Sequence, residues 1–161
     1  MNGDERTIEE RLAEMGVTLP EAPAPAANYV PYVVSGALVF ISGQLPMAGG
    51  ECANRGLLGR DVDLEDGVDA ARTCAINLLA QLKAACDGDL SKVARCVRLG
   101  GFVAATPDFE QHPAVINGAS DLIAEALGGE KGAHARAAVG VASLPFGVPV
   151  EVEGVFEIVT A

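Results

Sequence analysis

Two residues near the end of the chain have the chemistry to act on a small acid: Arg136 and Glu151, within residues 135–159, ARAAVGVASLPFGVPVEVEGVFEIV. A guanidinium offers a planar fork of donors that fits a carboxylate with two parallel hydrogen bonds, and a glutamate can hold or activate a water. Together they would bind and hydrolyse a small acid. An arginine and a glutamate on adjacent strands also make an ordinary cross-strand pair on a solvated face. Residue types alone favour that plainer reading.

Positioning the two residues requires strands. Ala137, Val139 and Val141 alternate with Arg136, Ala138 and Gly140, the period of a sheet with one buried face. After a turn at Leu144-Pro145-Phe146-Gly147, the residues Val150, Val152, Phe156 and Ile158 form an apolar face opposite Glu151, Glu153 and Glu157. The two runs read as a closing hairpin, with Arg136 and Glu151 both off its apolar face.

Upstream, Thr7-Ile8-Glu9-Glu10 has the form of a capping box, and Ile8, Leu12 and Met15 make one narrow stripe, so residues 7–15 predict a short surface helix. Pro20, Pro23 and Pro25 then hold an extended connector, which divides an N-terminal segment, 1–27, from a main domain, 28–161. Residues 29–35 and 37–42 predict two strands around a turn at Ser35-Gly36, the second strand buried on both faces. At the strand end, in Ser42-Gly43-Gln44, a glycine lets backbone groups approach a ligand; taken alone, the tripeptide is better read as a bulge or turn. The glycine-rich stretch 46–60 reads as a loop with a turn at Gly49-Gly50 that returns a short strand.

Asp63 caps the strongest helix, whose apolar residues step by three and four from Leu64 to Cys86. Residues 92–105 predict a strand bulged at Gly100-Gly101, and 113–127 a second helix that stops at Gly128-Gly129. Strand pair, helix, strand, helix, strand pair make an α+β sheet with helices on one face. Two substantial helices leave the other face uncovered, and subunit association is its expected cover.

Composition narrows the function. The chain of 161 residues is 50% hydrophobic and can bury a core, built from Val, Leu, Ile and Ala because 4% of residues are aromatic and none is Trp. A net charge of −11 and scattered Lys and Arg residues argue against nucleic acid as a partner. Cys52, Cys74, Cys86 and Cys96 show no C-x-x-C spacing and read as reduced, mostly structural thiols. His112 and His134 share no ligand-spaced motif, so no metal site is expected. The charged opening MNGDERTIEERL is no secretory signal and no apolar run is long enough to span a bilayer, which makes the cytoplasm the expected compartment.

From about Pro31 onward, the order of motifs resembles the reactive intermediate deaminase family (RidA/YjgF, also called endoribonuclease L-PSP). Pro31-Tyr32, then Val39-Phe40-Ile41-Ser42-Gly43-Gln44-Leu45-Pro46, resemble the family's opening; Arg136-Ala137-Ala138-Val139, Leu144-Pro145 and Val150-Glu151-Val152-Glu153 resemble its closing signature. The resemblance implies a chorismate-mutase-like α+β fold, a mixed sheet with two main helices on one face, assembled as a homotrimer with sites in the clefts between subunits. It implies hydrolysis of reactive 2-imino or enamine acids to 2-keto acids and ammonia, without a cofactor. Arg136 would clamp the substrate carboxylate and Glu151 would hold or deprotonate water. Backbone groups at Gly43 and Ala138 would contact the substrate nitrogen and carboxylate, Tyr32 would wall the pocket, and Asn117 falls where the family carries a helix Asn near its site. Ala138 stands where some members have Cys, so thiol chemistry at that position is absent. Two other readings of the cleft stand beside this one: a non-catalytic small-molecule-binding or protective trimer, and an endoribonuclease, which the acidic composition opposes.

Overall fold

A computed structural model describes residues 5–160; residues 1–4, the start of the charged opening assigned to segment 1–27, and residue 161 lie outside the described residues. The strands are β1 (Tyr32–Ser35), β2 (Leu38–Gln44), β3 (Met47–Ala48), β4 (Glu51–Cys52), β5 (Val93–Ala104), β6 (Ala135–Val141) and β7 (Val150–Ile158). The helices are α1 (Ile8–Glu14), α2 (Leu64–Ala85), α3 (His112–Leu127) and the single turn α4 (Gly129–Gly132). Five strands form the main sheet in the order β1-β2-β7-β5-β6, and β3 and β4 form a separate ribbon turned at Gly49 and Gly50. All main-sheet pairs are antiparallel except β5 with β6.

Local chemistry sets the helix ends. Thr7 and Glu10 form a reciprocal capping box on α1, and Asp63 accepts from the Asp66 N–H at 2.8 Å to start α2. A proline opens α3, and Gly128, at φ 71°, closes it. α2 and α3 both pack on one sheet face, where Leu78, Leu82, Ile116 and Leu122 meet Leu99, Val152 and Phe156 in a fully buried core. Their close approach depends on Gly118, because a Cβ there would strike the backbone carbonyl of Val68. α1 lies against α3 and places Leu12 in the same core.

Four features differ from the sequence expectations. Residues 135–159 are not a hairpin: β6 pairs in parallel with β5, and β5 also separates β6 from β7. Alternation identifies both strands but carries no information on which neighbour each selects. The faces of β6 are also reversed, since Arg136 lies opposite the buried Leu99 on the helix side and Val139 is 47% exposed on the open side. The second strand is buried on one face only, because Phe40 is 45% exposed while Val39 and Ile41 are buried. The irregularities of β5 fall between Val93 and Arg95 and between Cys96 and Arg98, not at Gly100-Gly101. Gly101 has another role: a Cβ there would come within 2.5 Å of Ile116.

Candidate active site

Arg136 is placed by β6 and restrained by α3. Its side chain leaves the sheet toward the helix, where Nη1 donates to Oδ1 of Asn117 at 2.8 Å and to Oγ of Ser120 at 3.1 Å. Nη2 makes a longer contact, 3.4 Å, with the Pro113 carbonyl. Pro113, Asn117 and Ser120 follow at steps of four and three and so share one face of α3. A guanidinium carries five N–H donors, and here Nη1 is fully engaged. Nε and Nη2 form the remaining parallel edge, and Nε has no partner among the described residues. That edge has the geometry for a carboxylate. Ala138, two residues along β6, shares the helix side and packs against the core.

Behind Arg136 runs a chain of defined hydrogen-bond directions. The His134 ring lies 2.7 Å from the Gly132 carbonyl through Nδ1 and 2.9 Å from Oγ of Ser120 through Nε2. A carbonyl only accepts, so Nδ1 of the neutral ring carries the proton and Nε2 accepts from the Ser120 hydroxyl. The Ser120 oxygen then turns a lone pair toward Arg136. Sequence reasoning missed Ser120 and His134. The available signal was the helical spacing of Asn117 and Ser120 together with a histidine two residues before the arginine, and neither residue type looked catalytic.

Glu151 belongs to a different neighbourhood. It lies on β7 with Glu153, and its carboxylate rests against Gly43, where any Cβ would collide with it. Between Ile41 and Gln44 the register of β2 against β7 shifts, so Ser42-Gly43 forms a bulge. The bulge is tied down by the Ser42 N–H to the Pro31 carbonyl and by Ser42 Oγ to the Val30 carbonyl, both at 2.9 Å. Burial, and secondarily the charge of Glu153, hold the Glu151 carboxyl above its ordinary range. A carboxylate so raised is a stronger proton acceptor. Tyr32, opposite Ile41, is part-buried on β1, the sheet edge farthest from Arg136.

The chain therefore brings Arg136 together with Asn117 and Ala138, and Glu151 together with Gly43, but does not join the two groups. Arg136 pairs opposite Leu99 and Glu151 opposite Phe102, across β5 and on opposite faces, a backbone separation of roughly 14 Å from strand spacing and rise. An Arg136–Glu151 cross-strand pair falls for the same reason; Glu153 instead meets Arg98 at 3.2 Å. Burial raises the Cys74 thiol well above its ordinary value and pushes Cys96 up to about 12, as inert structural thiols require. Among the described residues no group of three His, Cys, Asp or Glu could hold a metal, and no helix is long and apolar enough to cross a membrane.

Comparison with known proteins gives concordant results. The family model described as "YjgF/chorismate_mutase-like, putative endoribonuclease" matches residues 9–152. The chain is 46% identical over 151 residues to Protein TCP17 of Trypanosoma cruzi, covering 94% of each. Among solved structures, the protein Atu1372 of unknown function from Agrobacterium tumefaciens is 56% identical, with a TM-score of 0.88 over 94% of this chain and 92% of that one. A "putative endoribonuclease" from Shewanella oneidensis is 36% identical, with a TM-score of 0.91 over 95% of this chain and 100% of that one.

Proposed function

Since the chain belongs to the RidA/YjgF family, we propose that it hydrolyses reactive 2-imino and enamine acids to 2-keto acids and ammonia, at a site shared between chains of a homotrimer. The observation that carries this reading is the state of Arg136: Nη1 is anchored to α3 by two acceptors, Nη2 makes only a long contact with the Pro113 carbonyl at 3.4 Å, and Nε has no acceptor among the described residues. A carboxylate on the Nε–Nη2 edge is fixed in angle as well as position. The Glu151–Gly43 group of a neighbouring chain would then supply the water.

An imine carbon is already electrophilic, so orientation and proton transfer suffice. Glu151 takes a proton as the water oxygen bonds to the imine carbon, the C=N π pair moves to nitrogen, and the protonated carboxyl passes that proton to the nitrogen to give a carbinolamine. The carboxylate then takes the carbinolamine hydroxyl proton and passes it to the amine as the C=O bond forms and the C–N bond breaks with its electron pair on nitrogen, so ammonia leaves and the carboxylate is restored. The raised affinity of Glu151 for protons supports this exchange. Ribonucleolysis is served less well. His112 packs at Gly140 and His134 at Ser120, toward opposite ends of β6, and the net charge of −11 repels RNA.

The test supplies imines in situ from an amino-acid oxidase and follows keto-acid release. Arg136→Ala and Arg136→Lys are each expected to lower turnover at least a hundredfold without changing the melting temperature by more than a few degrees, because a point charge cannot replace the planar edge. Glu151→Gln is expected to bind keto acid and turn over slowly. Wild-type turnover in a folded Arg136→Ala protein would remove this assignment. RNA cleavage lost with the same substitution would favour the ribonuclease.

A further inference from the structure

A serine hydroxyl within a helix has no fixed direction of its own. Its proton ordinarily turns back to the carbonyl four residues earlier or out to water, and neither choice obliges the oxygen to face a cation. On α3 the Ser120 oxygen lies 3.1 Å from Nη1 of Arg136 and 2.9 Å from Nε2 of His134. The direction of that one proton decides whether Nη1 has one acceptor or two. With Oδ1 of Asn117 alone, the planar group can pivot about a single contact. With Ser120 as well, both Nη1 hydrogens are bound and the plane of the guanidinium is set.

His134 supplies the direction, and α3 supplies its own. Nδ1 meets the Gly132 carbonyl at 2.7 Å. Gly132 is buried against α3, where a Cβ would come within 2.6 Å of the Ala124 backbone, so the peptide that carries this carbonyl is seated on the helix. Ser120 and Ala124 are one helical turn apart, and the imidazole spans that turn with its proton held at one end and a lone pair presented at the other. His134 immediately precedes β6 and stands two residues before Arg136, so both side chains leave the chain toward α3. The ring is part-buried, which limits water as a rival partner.

We propose that His134 is a positioning residue of the hydrolytic site, which acts through Ser120 to set the plane of the Arg136 guanidinium. The inference rests on the deaminase reading for what Arg136 holds and adds the residue that aims it. Among the described residues the path from His134 to Arg136 runs through the Ser120 hydroxyl, on the Nη1 side and away from the Nε–Nη2 edge. Loss of His134 therefore falls on KM more than on kcat.

Two amide replacements separate this role from a merely structural one. His134→Gln can place its carbonyl oxygen where Nε2 stands and accept from Ser120. His134→Asn can place its NH2 where Nδ1 stands, keeping the Gly132 contact, but falls short of Ser120. In calorimetric titration with 2-oxobutanoate, His134→Gln is expected to bind within about twofold of the wild type and His134→Asn about three- to tenfold more weakly, the worth of one net hydrogen bond. In the oxidase assay His134→Asn is expected to raise KM by the same factor with kcat changed less than about twofold. Combining His134→Asn with Ser120→Ala is expected to weaken binding no further than Ser120→Ala alone, because one residue acts through the other. Additive losses, or His134→Asn closer to the wild type than His134→Gln, would mean that the ring only ties β6 to the turn before it, and would overturn the role. If the substitutions do not fold, nitrogen-15 spectra of the wild type at about pH 8 carry the test. A proton on Nδ1 and a bare Nε2 whose resonance moves when 2-oxobutanoate binds are expected; a proton on Nε2, or an unmoved resonance, overturns the role. The expected ranking without imine turnover keeps His134 as the positioning residue and removes the deaminase; turnover without the ranking does the reverse. A wild type that neither binds 2-oxobutanoate nor turns over imine overturns both.

Discussion

Ser120 has one hydroxyl proton, and with Nδ1 of His134 bonded to the Gly132 carbonyl that proton goes to Nε2, leaving the oxygen to receive Arg136. Ser120→Ala removes both contacts and frees one Nη1 hydrogen, so the guanidinium can turn away from the angle that the proposed carboxylate contact needs. The expected outcome is a three- to tenfold rise in KM for the imino acid with a smaller change in kcat, and a stability cost of about 1 kcal/mol from the lost hydrogen bonds. Steady-state kinetics and a thermal melt of one preparation check both. Glu151 makes a pH-dependent prediction. Its carboxyl binds its proton more tightly folded than unfolded, so its contribution to stability is present below the ordinary value of 4.5 and is lost as pH rises through the higher folded value. Glu151→Gln should therefore melt above the wild type at neutral pH, with the gap closing below pH 4.5. A constant gap would mean that the carboxyl is not held by burial. Arg136 and Glu151 could be picked out as candidates from the sequence through the family resemblance of the motifs around them, since residue type and strand pattern alone favour a plain cross-strand pair. Ser120 and His134 could not, since their importance comes from hydrogen-bond direction, which only three-dimensional placement reveals.

The helices translate packing into site geometry. Asn117 holds Arg136 and immediately precedes Gly118, whose lack of a side chain lets α3 approach the Val68 carbonyl on α2. Gly118→Ala forces α3 outward, at a cost of about 1–3 kcal/mol for overpacking. A melting temperature lower by several degrees is expected, together with weaker keto-acid binding because Asn117 moves with the helix. Loss of stability with unchanged binding would show that α3 does not govern the clamp. At this scale the sequence was informative about what each segment forms and silent about whom it joins. Asp63, the capping box and the glycine stops marked the helices because capping is local chemistry. The neighbours of β6 and β7 were misassigned because strand pairing is a long-range choice that leaves no mark on alternation.

For the whole molecule, an open sheet face with Val33 at 51%, Phe40 at 45% and Val139 at 47% exposure calls for a cover. Light scattering is expected to give three times the chain mass, and Phe40→Glu is expected to yield folded monomers without imine turnover, as the proposed sharing of the site between chains requires. A monomeric wild-type protein at micromolar concentration would contradict the shared site. The order of the sheet has a further consequence, for the chain in the act of being made. β7 occupies the centre between β2 and β5, yet follows both in the chain. Until residues 150–158 emerge from the ribosome, those two strands have no common neighbour, and each presents an edge of unpaired N–H and C=O groups. Pairing Val39 with Phe156 must then close a loop of more than a hundred residues, which is slow by topology alone. Before then the sheet is divided, with β1 and β2 on one side of the gap and β5 and β6 on the other. The bulge at Gly43 acquires its carboxylate neighbour only when the last strand slides into the gap.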